Sequence, residues 1–190
     1  MPSRTTGVVG AVTISMRDQL ARGGRWPTVR AALERRAPAA GDEVEAVRRW
    51  SVVDVGTHVA LLESMGEVLG ESGVRDFGRE RLTGEVSEGL FSTIARSWLR
   101  SFRARPEELL RMAPHLWRTA MRNCGTIRVV DVQDGYVRGR FEGLPSQLFD
   151  CRPWRWLMEG MGEGILELVE LLGTCRTQEE GDALDLVVKW

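Results

Sequence analysis

The chain is predicted to fold as an α+β domain in which a helical layer packs on a small antiparallel sheet. Three observations predict it. Two β-rich runs, Gly125 to Val132 and Tyr136 to Glu142, flank an Asp134-Gly135 pair whose positive φ angles suit a tight hairpin. Between Trp154 and Leu172, the residues Leu157, Met161, Ile165, Leu168 and Leu172 recur every three or four positions and line one helical face, which Gly173 ends. The chain closes on Leu184, Leu186, Val188 and Trp190, alternating with Asp185 and Lys189 as in a strand with one wet face.

The earlier elements follow in order. Thr6 to Ser15 is rich in valine, threonine and isoleucine and reads as an edge or flanking strand of the C-terminal sheet. Met16 to Arg22 reads as a short helix closed by Gly23-Gly24, and Trp26-Pro27 opens a helix with Val29, Ala32 and Leu33 on one side. Pro38 ends it. Asp42 with Glu45 matches a capping box for a helix reaching Trp50. Asp54 caps a stronger helix through Gly70, with Val55, Val59, Leu62, Met65 and Leu69 inward. Val74, Phe77, Arg81 and Leu82 keep a helical period around Gly78 and Gly84, two glycines that point to close packing or a kink. Leu90 to Arg103 carries a broad apolar stripe that includes Phe91 and Trp98. Pro106 then opens a helix bearing Leu110, Ala113, Trp117 and Met121, in which Pro114 predicts a bend or break.

No repeat or linker divides these elements, so residues 1–190 read as one domain. A chain of this size buries roughly 70% of its unfolded surface, enough for a core without disulfides. With 26 basic and 27 acidic residues the net charge is −1, which argues against a nucleic-acid footprint or a polybasic membrane patch. Lys189 is the only lysine, and the arginines are scattered among glutamates rather than clustered for phosphate. Cys124, Cys151 and Cys175 are widely spaced, so neither a disulfide framework nor a zinc site is signalled and a cytoplasmic location is expected. No apolar run approaches the ~18 residues of a membrane span, and the short run Gly7 to Ile14 lacks a cleavage site.

Several features in this order carry a family resemblance. They are the opening Gly-Val-Val-Gly run, Phe77-Gly78-Arg79, Trp117 to Asn123 leading into Cys124-Gly125-Thr126-Ile127, Asp134-Gly135, and the Gly143-Leu144-Pro145 exit. The string Glu159-Gly160-Met161-Gly162-Glu163-Gly164 and the Gly181-Asp182 turn complete them. Over nearly its whole length the chain resembles the ligand-binding superfamily of TRAPP core subunits, the 4-vinyl reductase domain and, more distantly, haem-dependent nitric-oxide sensor domains. In length and layout it is similar to bacterial paralogues within that group. The resemblance implies a module that binds an apolar molecule, an acyl chain or haem between helices and sheet, or a dimerising scaffold subunit. Two departures stand out. Only Cys175 lies near the end, where the 4-vinyl reductase pattern has a cysteine cluster. The haem sensors have an axial histidine and a tyrosine-serine-arginine propionate clamp, whereas the only tyrosine, Tyr136, lies in a Gly-Tyr-Val-Arg run.

No catalytic constellation accompanies the scaffold. Ser64, Ser92 and Ser97 lack a nucleophile-elbow context. The glycines of the 159–164 string sit inside an amphipathic helix without the lysine of a phosphate loop, so helix packing is favoured over ligand approach. His58 and His115 are the two histidines; for both, a structural role is favoured over a ligating or proton-moving one. Trp154 and Trp156 cannot share a helical face, so one is expected at an interface or pocket mouth.

The leading expectation is therefore a non-enzymatic module for bacterial signalling or regulation. It would hold a hydrophobic or acyl ligand or dock a protein partner, without a cofactor or metal, as a homodimer. Its expected pocket or interface residues are Phe91, Trp98, Trp117, Phe141, Trp154, Met158 and Met161. The alternative is a haem or tetrapyrrole sensor with His115 as first candidate ligand and Arg118 or Arg122 as propionate partners.

Overall fold

A computed structural model describes residues 5–88 and 105–190. The predicted helix from Leu90 to Arg103, with Phe91 and Trp98, lies outside them. The described residues form an α+β fold with two antiparallel sheets. The smaller is ordered β2-β1-β3 from Val52–Asp54, Gly7–Val9 and Met121–Arg122. The larger is ordered β4-β5-β7-β6 from Thr126–Gln133, Tyr136–Glu142, Ala183–Lys189 and Thr174–Glu180.

The N-terminal strand is much shorter than its composition predicts and belongs to the other sheet. Helix α1 (Gly10–Arg22) takes over after β1, with Gly10, Thr13, Met16 and Leu20 buried at helical spacing. The β-propensity of Val12, Thr13 and Ile14 yields to that buried stripe, because tertiary packing outweighs intrinsic preference. Gly23 and Gly24 (φ 67°) close the helix as expected. Helix α2 (Trp26–Arg36) buries Trp26, Val29, Ala32 and Leu33. Helix α3 (Ala40–Ala46) stops short of Trp50 and has no capping box. Its Glu45 instead accepts a 2.9 Å bond from the Trp26 indole, tying α3 to α2.

Asp54 caps α4 (Val55–Glu88), accepting from the Gly56 amide at 2.7 Å. Gly70 breaks this helix with φ 68°, a left-handed conformation that any side chain would strain. Helix α5 (Pro106–Ala120) starts at Pro106 and runs on through Pro114, so of the bend or break predicted there no break occurs. Leu110 and Trp117 are buried on either side of that proline, so both turns are held on the core.

The predicted hairpin forms, with Gln133 opposite Tyr136 and a register shift between Val129 and Asp131, but only Gly135 of the turn pair takes a positive φ. After the short α6 (Ser146–Phe149), α7 (Arg152–Leu168) ends four residues before Leu172. Glu170 adopts φ 59° just beyond the helix, and Leu172 is 95% exposed rather than the last member of a buried stripe. Strand β7 is not a half-wet final strand. It lies between β5 and β6, and Asp185 is buried beneath arginines.

Helix α7 packs along α4 through its glycines. A Cβ on Gly160 would fall 2.0 Å from the Arg75 carbonyl oxygen, and one on Gly78 would fall 2.5 Å from that of Leu157. Only backbone without side chains permits this approach. Close packing is thus what the glycine string serves. No helix of the described residues is long and apolar enough to cross a membrane.

Candidate functional site

Register fixes what each face of the larger sheet presents. Val137, Phe141, Leu184, Leu186, Val188 and Cys175 share the face toward α7, whose Gly162 backbone lies against Cys175. Tyr136, Arg138, Arg140, Asp185 and Val187 share the other face. There Arg140 donates two bonds to Asp185, at 2.7 and 2.9 Å, and Arg138 stands 3.5 Å from the same carboxylate. This pairing lets a carboxylate sit in the sheet interior.

On the inner face, three of the seven expected pocket residues come together. Trp117 of α5, Phe141 of β5 and Trp154 of α7 meet edge to face, with ring centroids 5.1, 5.2 and 6.1 Å apart. They are 9%, 2% and 1% exposed. Favourable ring quadrupole geometry and loss of water both stabilise such a cluster. The Trp117 indole donates to the Gly125 carbonyl at 3.2 Å, which fixes that ring at the start of the hairpin. Gly125 itself takes φ 75°, and a Cβ there would collide with the Glu142 carbonyl at 2.2 Å. Met158 and Met161 are half-buried on α7 beside the core. Trp156 is the tryptophan left at a cavity mouth: with Gly66, Pro153, Glu63 and Arg36 it lines an open cavity of about 340 Å³. A second open cavity, of about 660 Å³, lies at the hairpin tip between Arg105, Val132, Leu171 and Trp190. Neither is lined by the three clustered rings.

A charged cluster that the sequence did not announce lies between α4, α7 and β6. Arg75 donates to Glu159 and Glu163, both at 2.5 Å, and to the Cys175 carbonyl at 3.1 Å. The other Glu159 oxygen accepts from the Thr177 amide and hydroxyl, both at 2.8 Å, so this buried carboxylate is fully bonded. One signal was available. Glu159 and Glu163 are four apart on a helix, a repulsive like-charge pair unless a cation joins it.

The histidines part company. His58 is 3% exposed, its Nδ1 has no hydrogen-bond partner among the described residues, and burial, aided by the Arg81 charge, lowers its pKa to about 4. It is therefore neutral at pH 7. His115, Arg118 and Arg122 are all exposed and do not converge on the core. All three cysteines are buried and unbridged. Burial raises Cys151 to about 12, and it also raises Cys124 and Cys175, leaving inert thiols. Among the described residues, no group of three histidine, cysteine or carboxylate side chains is placed to hold a metal ion.

No family model matches the sequence, and no curated protein matches it. Solved structures do match the architecture. A mutant of the Fe(II) unliganded H-NOX protein from K. algicida superposes with a TM-score of 0.65 at 9% identity, covering 95% of each chain. A Tt H-NOX variant gives 0.61 at 13% identity, covering 95% of this chain and 94% of that one. An oxygen-binding H-NOX domain related to soluble guanylate cyclases gives 0.59 at 12% identity, over 95% and 93%. The fold is the H-NOX fold. Identities this low carry architecture alone, so the haem-sensor branch of the expected superfamily is matched in fold. In this H-NOX fold, α5, β5 and α7 supply the aromatic junction, and α4, α7 and β6 supply the ionic one.

Proposed function

We propose that this chain is a sensor-type binding module on the H-NOX architecture, acting by binding rather than turnover, in the cytoplasm and as a homodimer. The observation that carries the reading is the fold likeness, which spans 95% of the chain. Of the ligand classes that the sequence suggested, the neighbours favour the tetrapyrrole alternative over an apolar or acyl ligand. One matched structure is described through haem distortion in the H-NOX family, and another through haem redox potential and porphyrin distortion.

A haem of this type needs an axial ligand aimed into an apolar slot and cations for its propionates. The described residues do not fit that group. His115, Arg118 and Arg122 face solvent. Tyr136, Arg138 and Arg140 stand on the sheet face opposite the clustered rings, where Asp185 engages the arginines. His58 is enclosed in the core, and neither cavity reaches it. The proposal therefore rests at the level of the scaffold, with no step routed through haem.

Native mass spectrometry of the full chain, with lipid extraction, tests the reading. A dimer or a retained small molecule is the expected result. A strict monomer that retains nothing rejects it.

A further inference from the structure

We infer that the slot between helical layer and sheet is closed in this chain by Trp117, Phe141 and Trp154, so that the fold is complete without a prosthetic group and haem does not enter there. The inference deepens the sensor-type reading and rests on it only for where a resident group would lie. Three elements, α5, β5 and α7, each send one ring into the same volume, and the rings touch one another at centroid separations of 5.1 to 6.1 Å. Rings in mutual contact leave no layer between them for a planar macrocycle, and neither open cavity is lined by them. The rings are also locked. Trp117 is bonded to the Gly125 carbonyl, and Trp154 and Phe141 have almost no exposed surface. Beside them Cys124 donates weakly to the Gly7 and Arg122 carbonyls and is buried with a raised pKa, so it offers no thiolate to a metal. What the module responds to must then act at its surface or by parting these layers, not as a resident group between them.

The test uses the full chain and two probes, hemin and indole. Hemin added to the wild type should give the absorption spectrum of hemin in buffer and leave Tm unchanged. A one-equivalent Soret band lost in His58→Ala or His115→Ala overturns the inference, while leaving the sensor-type reading standing. Conversely, a chain that binds no hemin but is a strict monomer holding nothing sinks the sensor-type reading and leaves the closed slot intact. Trp154→Ala should open a cavity the size of the lost ring, and added indole should raise the Tm of that variant but not of the wild type. A folded Trp154→Ala protein with no indole response overturns the inference. If that variant does not fold, the wild-type hemin titration decides alone.

Discussion

His58 should make stability fall as the solution is acidified, by an amount that the structure sets. Its imidazole is buried and held at about 4, against 6.5 for the exposed group, a difference of 2.5. Across that window the unfolded chain binds a proton that the folded chain refuses, so folding is favoured less as pH drops. The stability is fully present above pH 6.5, declines between 6.5 and 4, and is lost below. At about 1.4 kcal/mol for each unit, the whole window corresponds to roughly 3 kcal/mol, of which about 2 is gone by pH 5. For a chain of this length, that is a drop in Tm on the order of 4–8 °C. Urea or thermal unfolding of wild type and His58→Leu at pH 7.5 and pH 5 isolates the effect, because every other titrating group is common to both. The wild type should lose about 2 kcal/mol more than the variant over this interval. Parallel pH profiles would refute the reasoning and mean that His58 is hydrated or paired when folded.

Further expectations concern the packed and charged junctions. Gly160→Ala places a methyl 2.0 Å from the Arg75 carbonyl and should cost about 1–3 kcal/mol by urea titration. Gly23→Ala, whose Cβ would meet only ordinary contacts, should stay within about 0.5 kcal/mol. Arg75→Met strands the buried Glu159 carboxylate and should cost about 3–5 kcal/mol. Adding Glu159→Gln should restore part of that loss, so strictly additive effects in a double-mutant cycle would show that the pair is uncoupled. Asp185→Leu leaves Arg140 without its two-bond partner and should lower Tm, whereas Glu180→Gln, on an exposed carboxylate, should change it little.

The elements legible in the sequence were those specified locally. A hairpin with Gly135 in its turn, an amphipathic α2 and a helix opened by Pro106 are set by neighbours within a few residues. Elements specified by distant contacts read wrongly or not at all. Strand β6, Thr-Cys-Arg-Thr-Gln-Glu-Glu, has one deeply buried residue, Cys175, and therefore no alternation to detect. Asp185 suggested a wet strand because its arginine partners come from β5, more than forty positions away. The sequence places Trp117, Phe141 and Trp154 at a pocket or interface, whereas their contact with one another depends on three elements that only the fold brings together. The Arg75 cluster escaped notice because one side chain answers two carboxylates and a carbonyl that lie 84 to 100 positions away.

That same cluster guards one edge of the larger sheet. Among the described residues, strand β6 has a neighbour on one side only, and a bare strand margin is a template for another chain. Here the outward Cys175 carbonyl is held by Arg75 and the outward Thr177 amide by Glu159, so two rungs of the would-be ladder are already taken. A second molecule adding its own strand at this margin would first have to dismantle a buried ion cluster, so strand addition is disfavoured at β6.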